Sequence, residues 1–265
     1  TCSLCADRTR LESPNGRGQP KSRETGRALE DFRRPARSGS GSEMNPGRFE
    51  RIRAVLTRRQ PDLTVLMEQV NKSHNFSAII RNCDAVGVLE AHAVFPDKGV
   101  DLSAHTSAGT AKWVLVHRHP NVEQAAAGLR RDGFRLVAAH PGEGARDYRE
   151  VDFTRKVAVM VGAELDGISP RGLELANERV AIPMAGMVRS LNVSVATALI
   201  LFEAFRQREA AGMYRESRLP EARFREMLFE WCHPELSKFF RERGWPYPPL
   251  SEEGEALVEP GFNLP

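Results

Sequence analysis

The chain has 265 residues, of which 41% are hydrophobic and 28% charged, with a formal net charge of +3. These proportions fit one globular domain with appendages; no apolar run reaches the ~18–20 residues of a membrane helix, and four scattered cysteines make no disulfide framework. The charge excess sits in residues 1–43, with nine basic against six acidic residues, which leaves 29 of each elsewhere, so net charge alone implies no nucleic-acid partner.

In chain order, residues 1–43 are rich in Arg, Ser, Gly and Pro and end in SGSGSE. They read as a disordered extension, natural or artificial in origin. Cys2 and Cys5 form a C-x-x-C with no second pair, so no zinc ribbon is expected. Cys83 and Cys232 fall in apolar helical patterns as packed thiols, which suits a reducing, cytoplasmic setting. Residues 44–62 hold a basic amphipathic helix over 47–59: Phe49, Ile52, Val55 and Leu56 share one face, and Arg48, Arg51, Arg53, Arg58 and Arg59 supply charge.

Residues 63–211 alternate. Strands are predicted at 63–70, 90–95, 112–118, 134–140, 156–162 and 179–184, and helices at 75–87, 121–133, 170–177 and 192–211. Gly87 is placed to end the first of these helices. Near-continuous apolar strands alternating with helices predict an α/β fold with a mostly parallel sheet flanked by helices. The helix from 192 is apolar almost all round, which predicts that it is surrounded. Residues 212–265 form a C-terminal helical extension, with one amphipathic run over 219–244 and a Pro- and Glu-rich tail.

Ligands of parallel sheets bind beyond the carboxyl ends of the strands. Three such ends carry glycine: VAAHPGEG (137–144), VMVGAELDGIS (159–169) and IPMAGMVRSLN (182–192). Together they predict a cofactor cleft. A dinucleotide fingerprint, a P-loop, an H-E-x-x-H and a Cys/His cluster are all missing from the sequence, so no metal is expected. In NFSAIIRNCDAVG (75–87), Arg81 could pair with Asp84 on the surface or reach for a phosphate. Asn75 and Ser190 taken singly are ordinary helix-cap residues, and Glu164 is either a solvated acid or a partner for backbone amides.

The three segments NFSAIIRNCDAVG, VMVGAELDGIS and IPMAGMVRSLNVSVATALILFEAFRQR, in this order, resemble the three motifs of the SPOUT superfamily of RNA 2′-O-ribose methyltransferases. The resemblance runs from about Met44 past residue 245 and is greatest to the bacterial tRNA guanosine-18 enzymes. It implies a SPOUT fold with a C-terminal deep trefoil knot, a homodimer, and S-adenosylmethionine as cofactor. The implied substrate is the ribose of guanosine 18 in the tRNA D-loop. By motif, Arg81 is the catalytic arginine, supported by Asn75, Glu164, Ser190 and Asn192. The knot loops imply cofactor contacts at Ala139, His140, Gly162, Ile182, Met184 and Leu191. Phosphate contacts dominate RNA affinity, and Arg48, Arg51, Arg58 and Arg59 are the expected tRNA footprint. Arg206, Arg208, Arg215, Arg218, Arg241 and Arg243 add to it. The alternatives are an rRNA 2′-O-methyltransferase of the same superfamily and a noncatalytic tRNA-binding protein.

Overall fold

The computed structural model describes residues 45–95 and 112–257; the N-terminal extension with Cys2 and Cys5 lies outside these. Contacts divide the chain into two compact units. One is Gly47–Pro234, and the other includes residues 235–257.

The larger unit begins with α1 (Pro46–Thr57), which buries Phe49, Ile52 and Leu56. Val55, expected on that face, is exposed. Then follow β1 (Leu63–Glu68), α2 (Ser73–Ala85), β2 (Glu90–Val94), β3 (Leu115–His119), α3 (Val122–Arg131) and β4 (Arg135–Ala139). The chain continues through β5 (Arg146–Asp147), β6 (Val157–Val161), α4 (Pro170–Leu175), β7 (Glu178–Ala181), α5 (Val193–Ala210) and α6 (Glu221–Cys232). The seven strands form one sheet in the order β3-β2-β1-β6-β4-β7-β5, and every pairing is parallel. β1 and β6 lie at its centre and are buried along their whole length, which is why their sequences lack polar alternation. The two-residue β5 is too short to leave a periodic signal.

Gly87 ends α2 as the pattern required. Its φ is +82°, Gly87 N–H donates to Asp84 O and Val88 N–H to Cys83 O. A Cβ here would lie 2.7 Å from the Arg58 carbonyl, so only glycine fits both the backbone and the space. The expected helical run over 219–244 breaks at His233, and α7 (Pro234–Glu242) restarts it. In the smaller unit Phe239, Phe240, Trp245 and Tyr247 meet edge-on, with Arg243 stacked 3.7 Å from the Phe239 ring.

The expectation for α5 needs correction. It packs against α2 and buries Thr197, Ile200, Leu201, Ala204 and Arg208. Val195, Leu199 and Phe202, at helical spacing, are 48%, 38% and 50% exposed. Among the described residues the helix is therefore covered on one side only.

Arg208 is fully buried and commits all five of its N–H groups. Nε donates to Phe153 O at 2.8 Å, and Nη1 to Gln60 Oε1 and Asp62 Oδ1. Nη2 donates to Asp62 O and Arg155 O. A buried charge is costly unless it is paired and hydrogen-bonded. Burial alone would raise the Asp62 carboxyl, but Arg208 and Arg218 outweigh it and hold its pKa below the usual value. This pairing therefore stabilises the fold at neutral pH and is lost as the pH falls through the lowered pKa of Asp62. Arg208→Ala leaves Asp62 without its main partner and should cost about 3–5 kcal/mol. Urea titrations at pH 7 and at acid pH check this, and the difference between the two proteins should shrink on acidification.

Candidate active site

Four loops line up along the carboxyl edge of the sheet because β1, β6, β4 and β7 are consecutive neighbours. They are 69–72 after β1, 162–169 after β6, 140–145 after β4 and 182–192 after β7. All three glycine-bearing segments thus meet side by side, with the first-motif loop beside them. His140 N–H donates to Val180 O, tying the end of β4 to β7.

The loop after β6 is closed on itself. Ala163 and Gly167 exchange both backbone hydrogen bonds, at 3.0 and 2.9 Å, and Gly167 has φ +66°. This leaves a three-residue turn, Glu164–Asp166, closed by a glycine in the left-handed conformation. A Cβ on Gly162 would lie 2.1 Å from the Gly167 carbonyl, so the pinch requires glycine there too. Below the turn, the buried carboxylate of Glu68 accepts from Ser169 N–H at 3.0 Å and Ser169 Oγ–H at 2.7 Å. Ser169 Oγ in turn accepts from Gly172 N–H and caps α4.

Asn192 is the N-cap of α5: its Oδ1 accepts from Ser194 N–H at 2.8 Å. Its Nδ2 donates to Asn75 Oδ1 at 3.1 Å. Two turns further along α2, Asn82 Nδ2 donates to Ser194 O at 2.9 Å. These bonds fix both Asn75 and Asn192. Ser194 N–H can only donate, so it must face Asn192 Oδ1. Asn192 then offers Nδ2 to Asn75, which answers with Oδ1. The Asn75 amide nitrogen is left buried with no acceptor.

Taken singly in the sequence, Asn75 is an ordinary helix-cap residue. In the structure α2 begins two residues earlier, Lys72 is its N-cap, and Asn75 is buried inside the first turn. Lys72 also forms an ion pair with Glu164, which joins the start of α2 to the turn after β6. Between these loops lies a cleft of ≈ 170 Å³ that includes Gln69, Lys72, Asn75, Glu164 and Asp166 in its lining. Gln69 has φ +54°, the one non-glycine residue with positive φ among those described.

Arg81 is exposed on α2, in the residue before Asn82. The surface pair with Asp84 does not form, because Asp84 is taken by Arg59. Ser190 is exposed at the end of the 183–190 loop, every residue of which is exposed. Ala139, His140, Ile182 and Leu191 are half-buried, Gly162 is buried and Met184 is exposed. This surface of exposed backbone and apolar side chains suits a nucleoside held by backbone groups and van der Waals contact.

The expected RNA footprint changes. Arg51 and Arg58 are exposed and Arg48 is half-buried. Arg59 is fully buried, donating to Val88 O and Asp84 beneath the Trp231 ring. It has no surface to offer a phosphate, and nor does Arg208. Arg206 is held by Glu203 and Arg218 by Asp62. Lys72, Glu68, Asn82 and Ser194 are the site-shaping residues that sequence reasoning missed. A lone acid closing a strand that is otherwise uncharged and largely apolar is the available signal for Glu68.

Two family models match: SpoU rRNA Methylase family over residues 62–202, and SpoU, rRNA methylase, C-terminal over 206–258. A tRNA (guanosine(18)-2′-O)-methyltransferase of Escherichia coli (strain K12) is 50% identical over 214 residues, covering 80% of this chain and 93% of the relative. The chain belongs to the SpoU methylase family. Among solved structures it is similar to the A. aeolicus TrmH/SpoU tRNA modifying enzyme, with a TM-score of 0.67 and 41% identity over 72% of this chain and 97% of that one. The SpoU methyltransferase AviRb from Streptomyces viridochromogenes, in complex with the cofactor AdoMet, matches with a TM-score of 0.50 and 30% identity. It covers 57% of this chain and 62% of its own.

In this member of the family, Asn192 caps α5 and holds Asn75 at once. Asn192→Ala should cost about 1–2 kcal/mol from the lost cap, or a fall in melting temperature of about 2–8 °C. Thermal unfolding followed by circular dichroism measures it. Asn192→Ser, which can still cap, should recover most of the loss.

Proposed function

We propose that the chain is an S-adenosylmethionine-dependent tRNA 2′-O-methyltransferase that modifies the ribose of guanosine 18 in the D-loop. The observation that carries this reading is the row of four loops at the carboxyl edge of the sheet, three of them tied together around the start of α2 by the Asn75–Asn192 and Lys72–Glu164 contacts. It occurs in a chain half identical to a curated enzyme with that name. The cofactor is expected against Ala139, His140, Gly162, Ile182, Met184 and Leu191. When bound it supplies a methyl group already activated on a sulfonium.

The protein must then place the ribose hydroxyl in line and draw off one proton. Arginine is a poor base, because its pKa exceeds ~12. Arg81 instead grips the phosphate of the target nucleotide with its planar fork, and that phosphate helps to accept the proton. Ser190 and Asn192 frame the entry of the ribose at the mouth of α5. Arg51 and Arg58 contact the tRNA backbone.

The exposed stripe of Val195, Leu199 and Phe202 supports a homodimer built on α5. In such a dimer, Arg81 of one protomer serves the cofactor site of the other. The insertion of β6 between β1 and β4 supports a knotted path. Behind it, Gln207 is locked to Phe153 N and Val151 O. Among the described residues no helix is long and apolar enough to cross a membrane, and a cytoplasmic location fits a tRNA substrate.

Methylation of unfractionated tRNA and, in parallel, of ribosomal RNA with labelled S-adenosylmethionine, followed by nuclease mapping, tests the reading. Product at guanosine 18 is expected; product only on ribosomal RNA would move the chain to the rRNA branch. Arg81→Lys keeps the charge and loses the fork. It should lower turnover at saturating tRNA by about 10²-fold, equivalent to about 2.7 kcal/mol, and near-normal turnover would refute the phosphate grip. Phe202→Glu should convert the dimer to a monomer in sedimentation and abolish turnover, while far-UV circular dichroism stays unchanged.

A further inference from the structure

The cleft between the 69–72 and 162–169 loops holds two hydrogen-bonding groups, the Asp166 carboxylate and the Asn75 amide nitrogen, for which the methyl-transfer reading names no ligand. At ≈ 170 Å³ it is far larger than the space of one water, about 30 Å³. Its lining includes the carboxylates of Glu164 and Asp166, the ammonium of Lys72 and the Asn75 amide. Lys72 is already paired with Glu164. The Asn75 amide nitrogen is buried without an acceptor, in an orientation set by Asn192 and Ser194. Asp166 sits at the exposed end of the pinched turn.

Two carboxylates against one committed ammonium disfavour a phosphate here. The site asks for a neutral group with N–H donors for a carboxylate and an oxygen for the Asn75 donor. Among RNA bases, guanine alone presents two adjacent N–H donors, N1–H and N2–H, beside the O6 acceptor. An unstacked base is read on this edge in single-stranded RNA, and a carboxylate accepts two parallel N–H bonds.

We propose that this cleft reads the target base: the Asp166 carboxylate accepts from guanine N1–H and N2–H, and the Asn75 amide nitrogen donates to O6. Asp166 is thereby a specificity-determining residue, and the turn held by Gly162 and Gly167 is what presents it. The proposal rests on the reading of the chain as a guanosine ribose methyltransferase.

The test uses the full-length protein and tRNA transcripts carrying guanosine or inosine at the target position, since inosine lacks only the N2 amino group. Methyl-transfer kcat/KM and competitive binding of the two transcripts are measured for the wild type and Asp166→Asn. The wild type should prefer guanosine by about 10–100-fold, the range of one charge-assisted hydrogen bond. In Asp166→Asn the ratio should fall to within about twofold. Asp166 lies on an exposed turn, and the ratio is internal to each protein, so a general loss of folded enzyme does not alter it. A wild type indifferent to the two bases, or an unchanged preference in the variant, overturns the proposal while leaving ribose methylation intact. Guanosine-selective binding that depends on Asp166 but comes with no methyl transfer would keep the base pocket and refute the methyltransferase reading.

Discussion

The position of the site depends on one buried guanidinium. Arg208 lies near the carboxyl end of α5 and grips Gln60 and Asp62, just before β1, and Phe153 and Arg155, just before β6. Those residues stand at the amino edge of the sheet. An 18-residue helix is about 27 Å long, enough to run back across strands of five or six residues to their carboxyl edge. Fixing one end of α5 at Arg208 therefore delivers its other end, with Asn192, to the ends of β6, β4 and β7.

The N-terminus of α5 is then locked laterally. Asn192 holds Asn75, and Asn82 holds the Ser194 carbonyl, so α2 and α5 share a seam of amide hydrogen bonds above their apolar contact. Such bonds have direction, which apolar packing lacks, and they set the register of the two helices. Arg81 follows α2 as a rigid body: its rotation about the helix axis is fixed by Asn82 next to it and Ile80 in the core. The rest of the edge is fixed from below by Glu68, whose carboxylate holds Ser169 and hence the turn carrying Glu164 and Asp166.

Much of this was legible in the sequence. The parallel sheet showed in its continuous apolar strands, and the three loops showed in their glycines. The identity of the polar residues came from motif resemblance, because a lone Asn or Ser at a helix mouth is chemically ambiguous. What escaped did so for physical reasons. Burial of arginine runs against its hydration, so the sequence places Arg59 and Arg208 at the surface with their neighbours. Their acceptors are mostly backbone carbonyls and acids that come from other segments, which no local pattern reveals. The apolar perimeter of α5 predicts cover all round, but among the described residues α2 and the sheet cover only one side. The Asn75 amide and the Lys72–Glu164 pair are contacts between residues over 90 positions apart.

Three arginines near one helix show why residue type alone does not decide function. Arg59 and Arg81 compete for the same acid, Asp84, and the buried one has the stronger claim: an unpaired charge in the core costs several kcal/mol, whereas a surface i,i+3 pair contributes only a few tenths. Asp84 therefore goes to Arg59, and among the described residues no carboxylate pairs with Arg81. The same accounting fills every donor of Arg208. Folding thus spends the local acids on the two arginines it buries and leaves the exposed one with its fork open. That is the condition for Arg81 to bind a phosphate without first breaking an ion pair.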